Sequence, residues 1–257
     1  MSKKQAIGFF DSGSGGLSVL AVVRKRLPGE DFIYLGDSAN APYGTKDDET
    51  VRRLVLAAVR QLADRNIKAL VVACNTATGA AISALREACD FPVLGIEPAL
   101  KTAAETHTGG QILVMATPLT INSKNYRELH SRFGQHAISL PCPGLMEFVE
   151  REDLDSPDLH AYLDRLLSPF DREQLDSIVL GCTHYLFLKK ALARHLMPGT
   201  RLLDSNDGLT RQLIRTLEEK NLMTDGPSEG AVTILCTGNQ EKLSHLKRMW
   251  ALAQDLF

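Results

Sequence analysis

Short, wholly apolar runs that alternate with longer amphipathic stretches constrain this chain more than any other feature. The runs cover residues 6–10, 32–35, 69–73, 112–115, 137–140, 178–180 and 232–235. A strand that is apolar at every position is buried on both faces, which requires helices on both sides of its sheet. The intervening stretches supply them. Over residues 50–65, Val51, Leu54, Val55, Ala58, Val59 and Leu62 recur at three- and four-residue spacing, the stripe of an amphipathic helix. Thr45 followed by Asp48 fits a capping box ahead of it, and a second helix is expected over 122–133. Such alternation predicts an α/β fold with mostly parallel sheets. In these folds ligands sit beyond the carboxyl ends of the strands, so the polar turns there are the places to look for chemistry.

Composition narrows the function. The 257 residues carry a net charge of −2 and no long basic run, which disfavours nucleic acid and acidic membrane surfaces as partners. The N-terminal apolar stretch is too short for a signal peptide core, and no run approaches the roughly 18 residues of a membrane helix. The five cysteines are scattered singly without zinc-type spacing, so free thiols in the cytoplasm and no metal site are expected.

Two turns repeat one another: LVVACNTAT at 70–78 and IVLGCTHYL at 178–186. Each follows an apolar strand and carries a cysteine, which hints at two similar αβ lobes with one thiol apiece. Cys74 and Cys182 then lie between a strand and a helix start, where unpaired N–H groups favour a thiolate. A thiol titrating near pH 8.5 becomes a usable base after a modest downward shift. Cys89, Cys142 and Cys236 read as structural. His184, two residues past Cys182, either tunes that thiol or is a surface or capping residue.

The turn DSGSGG at 11–16 fails as a dinucleotide fingerprint, because Ser18 stands at the third glycine position. Its N–H groups suit a carboxylate, with Asp11 facing an ammonium or a thiol. Thr117 and Thr120 offer hydroxyls to an anionic substrate or cap the following helix. Residues 150–158 read as a solvated loop or helix start.

Together DSGSGG, GDSANAPYGTK, ACNTAT, GIEPA, ATPLTINS and GCTHY resemble the glutamate racemases in order and separation. One departure is Leu186, where the family usually has proline. The resemblance implies a two-lobed α/β enzyme without pyridoxal phosphate or another cofactor, its active site in the cleft between the lobes. It divides the chain into 1–98 plus 207–257 and 99–206. Cys74 would take the proton from D-glutamate and Cys182 from L-glutamate, with Asp11 assisting the first, His184 the second, and Glu150 a further catalytic candidate near Cys182. Substrate holding would fall to Asp11, Ser12, Pro42, Tyr43, Gly44, Asn75, Thr76, Thr117, Thr120, Thr183 and His184, beside the two cysteines. The implied role is to supply D-glutamate for peptidoglycan, and a homodimer is expected because α/β enzymes often pair symmetrically.

The chemistry has its own logic. Inverting a stereocentre by proton transfer needs an acid on one face and a base on the other, and two like groups exchange these roles with direction. A decarboxylase of the same architecture would need one thiol only. A regulatory disulfide predicts adjacent sulfurs, and a two-lobed amino-acid binding protein has no use for paired thiols. Aspartate racemases share the two-cysteine plan but differ in the surrounding turns, and side-chain pocket details separate the two substrates.

Overall fold

A computed structural model describes residues 1–225 and 229–257. The strands are β1 (Ile7–Asp11), β2 (Phe32–Gly36), β3 (Ala69–Val72), β4 (Val93–Gly95), β5 (Gln111–Ala116), β6 (Ala137–Pro141), β7 (Leu175–Leu180), β8 (Arg201–Leu203) and β9 (Val232–Cys236). All seven expected runs form strands, and every pairing is parallel. Between them lie α1 (Leu17–Arg26), α2 (Asp48–Ala63), α3 (Asn75–Ala88), α4 (Leu100–Glu105), α5 (Pro118–Asn122), α6 (Lys124–Phe133), α7 (Leu145–Glu150), α8 (Pro157–Leu167), α9 (Lys189–Ala193), α10 (Asn206–Glu219) and α11 (Gln240–Leu256). None of the described helices is long and apolar enough to cross a membrane.

The strands form two sheets, ordered β4-β3-β1-β2-β9 and β6-β5-β7-β8. Read from the second strand of each set, β2-β1-β3-β4 and β6-β5-β7-β8 are the same arrangement, so the two αβ lobes share one topology. In each, the chain starts at an inner strand, steps to one side, then crosses to the other. The reversals fall between β1 and β3 and between β5 and β7. Connections leave opposite faces at such a point and open a crevice beyond the strand ends. The residues at those ends are Asp11 and Cys74 in one sheet, Thr117 and Cys182 in the other.

The second sheet is inserted in the chain between β4 and β9. The chain therefore passes between the sheets twice, near residue 97 and near residue 205, and the two crossings touch where Ser205 Oγ donates to the Glu97 carbonyl.

Apolar alternation decides the packing. Ile7 and Phe9 of β1 face the cluster holding Leu17, Leu213 and Met249 of α1, α10 and α11. Phe10, with Leu70 and Val72 of β3, faces the cluster of α2 and α3. The first cluster continues into Leu113, Met115 and Ile178 of the second sheet, so one apolar seam joins the two sheets. Leu186, the departure from the family pattern, is buried in that seam, where each large aliphatic side chain contributes about 1.5–3 kcal/mol.

Local details differ from expectation for identifiable reasons. Helix α2 is capped by Asp47, which accepts from Thr50 N at 2.8 Å; Thr45 lies too far upstream. The helix expected over 122–133 is two helices, because Ser123 adopts an extended backbone and caps α6 itself. Strands β4 and β8 were missed, since three residues at a sheet edge leave no periodic signal. Residues 150–158 are not simply solvated: Glu150 ends α7 with its side chain turned inward, and Ser156 caps α8.

Candidate active site

Cys74 is the N-cap residue of α3. Its extended backbone (φ −95°, ψ 121°) turns the chain from β3 into the helix, and Sγ accepts from Ala77 N at 3.4 Å. Ser12 Oγ lies 3.5 Å from the same sulfur. Burial nonetheless pushes the thiol up to about 12, Asp11's charge adds to the rise, and Ser12 and Ala77 oppose it. The expected downward shift is thus reversed in the free protein. A helix N-terminus contributes about 0.3–1 kcal/mol, less than full burial of a thiolate costs.

Cys182 occupies the matching position after β7, ahead of a 3-10 turn over Thr183–Leu188. Its sulfur is 3.7 Å from His184 Nδ1, and His184 Nε2 is 2.7 Å from Glu150 Oε1. Burial works against a charge on His184, but the Cys182 thiol and the Glu150 carboxylate outweigh it and hold the imidazole well above its ordinary range. Burial likewise opposes the Glu150 charge, yet His184, His245 and Ser14 hold that carboxyl below its usual range. The arrangement is a thiol, an imidazole and a carboxylate in line, with His184 able to carry a proton to or from the sulfur.

The glycine-rich turn serves this arrangement rather than waiting for a ligand. Gly13 N donates to Asp11 Oδ1 at 2.8 Å, and Ser14 donates to Glu150 Oε1 from both N and Oγ at 2.8 Å. The N–H groups expected to hold a substrate carboxylate hold the protein's own carboxylates. Gly15 is required by close approach: a Cβ there would strike the His184 ring and Thr183 Oγ1.

Eleven residues line one cavity: Ser12, Tyr43, Gly44, Cys74, Asn75, Thr76, Thr117, Met146, Cys182, Thr183 and His184. Both thiols are free and open onto it. Asn75 Oδ1 is buried without a hydrogen-bond partner, an acceptor left for a donor in the cavity. Thr76, Thr117 and Thr120 form a triangle of hydroxyls 2.9–3.1 Å apart. Thr117 also caps α5 through Thr120 N, whereas the longer helix expected after it is capped by Ser123.

Four candidates stand outside the lining. Asp11 is fully buried beneath it and accepts from Thr183 Oγ1 at 3.1 Å. Burial raises its carboxyl, against His184, Gly13 and Thr183. Thr120 backs the hydroxyl triangle, Glu150 backs His184, and Pro42 is not among the lining residues. Sequence reasoning missed Met146 in the wall, Asp37, which accepts from Tyr43 OH at 2.5 Å, and His245 beside Glu150. Among the described residues no cluster of three His, Cys, Asp or Glu is arranged for a metal.

Residues 17–213 match the profile of the Asp/Glu/Hydantoin racemase family. The chain is 45% identical over 251 residues to the glutamate racemase of Clostridium novyi (strain NT), covering 96% of this chain and 97% of the relative. It is similar to the crystal structure of Escherichia coli glutamate racemase in complex with L-glutamate and the activator UDP-MurNAc-ala, with a TM-score of 0.86 and 33% identity over 97% of this chain and 95% of that one. The glutamate racemase of Francisella tularensis in complex with D-glutamate superposes with a TM-score of 0.85 and 28% identity, over 97% and 94% of the two chains. Two lobes of one topology, a thiol at the reversal point of each, and near end-to-end likeness to these enzymes agree: the chain belongs to the Asp/Glu/Hydantoin racemase family of isomerases.

Proposed function

We propose that the chain interconverts L- and D-glutamate by moving the α-proton between Cys74 and Cys182. The observation that carries this reading is the pair of free thiols, one from each lobe, opening onto a single cavity. The substrate assignment draws on the likeness to glutamate racemases solved with either enantiomer.

In one direction a Cys74 thiolate takes the proton from the α-carbon of D-glutamate. The electron pair stays on carbon and spreads into the α-carboxylate, and the Cys182 thiol delivers its proton to the opposite face. The reverse direction exchanges the roles. His184 shares the proton at Cys182, and Asp11 beneath the cavity offsets the substrate ammonium. That cation supplies the field the free protein lacks, since Cys74 holds its proton tightly before substrate arrives. The polar groups of Ser12, Asn75, Thr76, Thr117 and Thr183 would hold the two carboxylates and the ammonium, with Tyr43 and Gly44 closing the wall, Thr120 supporting the hydroxyls of Thr76 and Thr117, and Pro42 setting the turn that carries Tyr43. Preorganised donors in a water-poor cleft stabilise the developing carbanion without an electron sink. Lobe limits at 98/99 and 206/207, a homodimer, a cytoplasmic location and supply of D-glutamate for peptidoglycan complete the proposal.

The test is incubation with L-glutamate in deuterated buffer, without added cofactor, following optical rotation and the α-proton signal. Wild type should racemise, and Cys74→Ala and Cys182→Ala should each lose about 10³-fold or more. L-Aspartate serves as the control for chain length, because one methylene is worth only about 1–3 kcal/mol in such a pocket. Wild type that neither racemises nor exchanges the α-proton would overturn the reading.

A further inference from the structure

Glu150 is served unequally on its two oxygens. Oε1 accepts from Ser14 N, Ser14 Oγ and His184 Nε2, all within 2.8 Å. Oε2 faces a second imidazole, His245 of α11, whose Nε2 is 3.4 Å away and has no hydrogen-bond partner. His245 Nδ1 lies 2.9 Å from Glu152 Oε1, and Arg248 Nε donates to the same carboxylate at 2.9 Å. Glu152 reaches this position from a left-handed backbone, φ 60°, uncommon for a residue with a side chain. The charges alternate in sign from the cavity to the surface: His184, Glu150, His245, Glu152, Arg248. Asp11 lies on the far side of the Ser14 turn, and Glu241 sits beyond Arg248 on α11.

We propose that His245 is a positioning residue for proton transfer at Cys182: its positive charge shares Glu150 with His184 and so sets how tightly His184 holds its proton. The inference rests on the racemase reading for its catalytic meaning, but the charge coupling stands on geometry alone. Removing a cation beside Glu150 leaves that negative charge to His184, and every proton affinity along the line rises. Through the carboxylate that lies between the two rings, an effective dielectric near 20 gives a shift of at least about one pH unit.

Two curves test it, each for wild type, His245→Gln and His245→Lys. The first is kcat/KM against pH. The second is the rate of Cys182 alkylation by iodoacetamide against pH, read by peptide mass, which needs no turnover. Both curves should move up by about one unit in His245→Gln and return toward wild type in His245→Lys, which restores the charge. Racemisation gives an internal check, since an equilibrium constant of one forces kcat/KM to be equal in both directions at every pH. A lower rate with unmoved midpoints is what loss of packing alone would give, and it would overturn the proposal. If wild type does not racemise but the alkylation curve still moves, the coupling survives and the racemase reading fails.

Discussion

Glu150 shows how a single side chain ties stability to chemistry. Its side chain is 21% exposed, and its carboxyl titrates below the ordinary range while its partner His184 titrates above. A depressed carboxyl contributes stability that is complete above its unfolded value, about 4.3, and lost as pH falls toward the folded one. A raised imidazole contributes stability that is complete below its unfolded value, about 6.5, and lost as pH rises through the folded one. Both contributions are therefore present from about pH 5 to 6. Glu150→Gln breaks a buried pair at a cost of about 3 kcal/mol, which in a chain of this size lowers Tm by about 8 °C. Melting curves should show that gap at pH 6 and its narrowing by pH 3. The two thiols were legible in the sequence because each follows an apolar strand in matching words. Glu150 came only through resemblance, and Met146 and His245 were silent, because their neighbours in the site lie far away along the chain and meet only when the sheets assemble; Asp37 was hidden differently, since its bond to Tyr43 six residues on depends on how that turn folds.

At the scale of elements, the turn after β1 works as a splint between the lobes. Ser14 binds Glu150 of α7, Ser18 Oγ donates to the Thr183 carbonyl at 3.2 Å, and Thr183 reaches back to Asp11. Gly15 lets the turn approach the 3-10 turn over Thr183–Leu188 closely enough for these bonds. Gly15→Ala should therefore displace Thr183 and His184 together. We expect a loss of at least about 10²-fold in kcat/KM, as for a misplaced reacting group, with a smaller change in Tm, read by parallel kinetics and calorimetry; an unimpaired kcat/KM would contradict the splint. The seven principal strands were readable from their uninterrupted apolar runs. The two short edge strands, the break at Ser123 and the cap at Asp47 were not, since each is settled by one or two backbone angles rather than by a repeating pattern.

For the molecule as a whole, the cavity is tight. The space open to the centre of a water molecule is about 20 Å³, room for about one water and none for an amino acid. Substrate entry requires the walls to part, and a rate governed by that motion depends on solvent friction. The wild-type kcat should fall in proportion to relative viscosity in sucrose, while a Cys74→Ser variant, slowed at the chemical step, should not respond; equal insensitivity in both would place the limit in chemistry instead.

The two chain crossings give that motion its form. They lie side by side, bonded where Ser205 meets the Glu97 carbonyl. Paired tethers at one edge favour a swing about the line through them over sliding or twisting, and the bonds from the β1 turn to Glu150 and Thr183 are what such a swing would strain. Mirror-image forms of the same amino acid then come and go through one mouth along one arc, and the molecule needs no separate door for either hand.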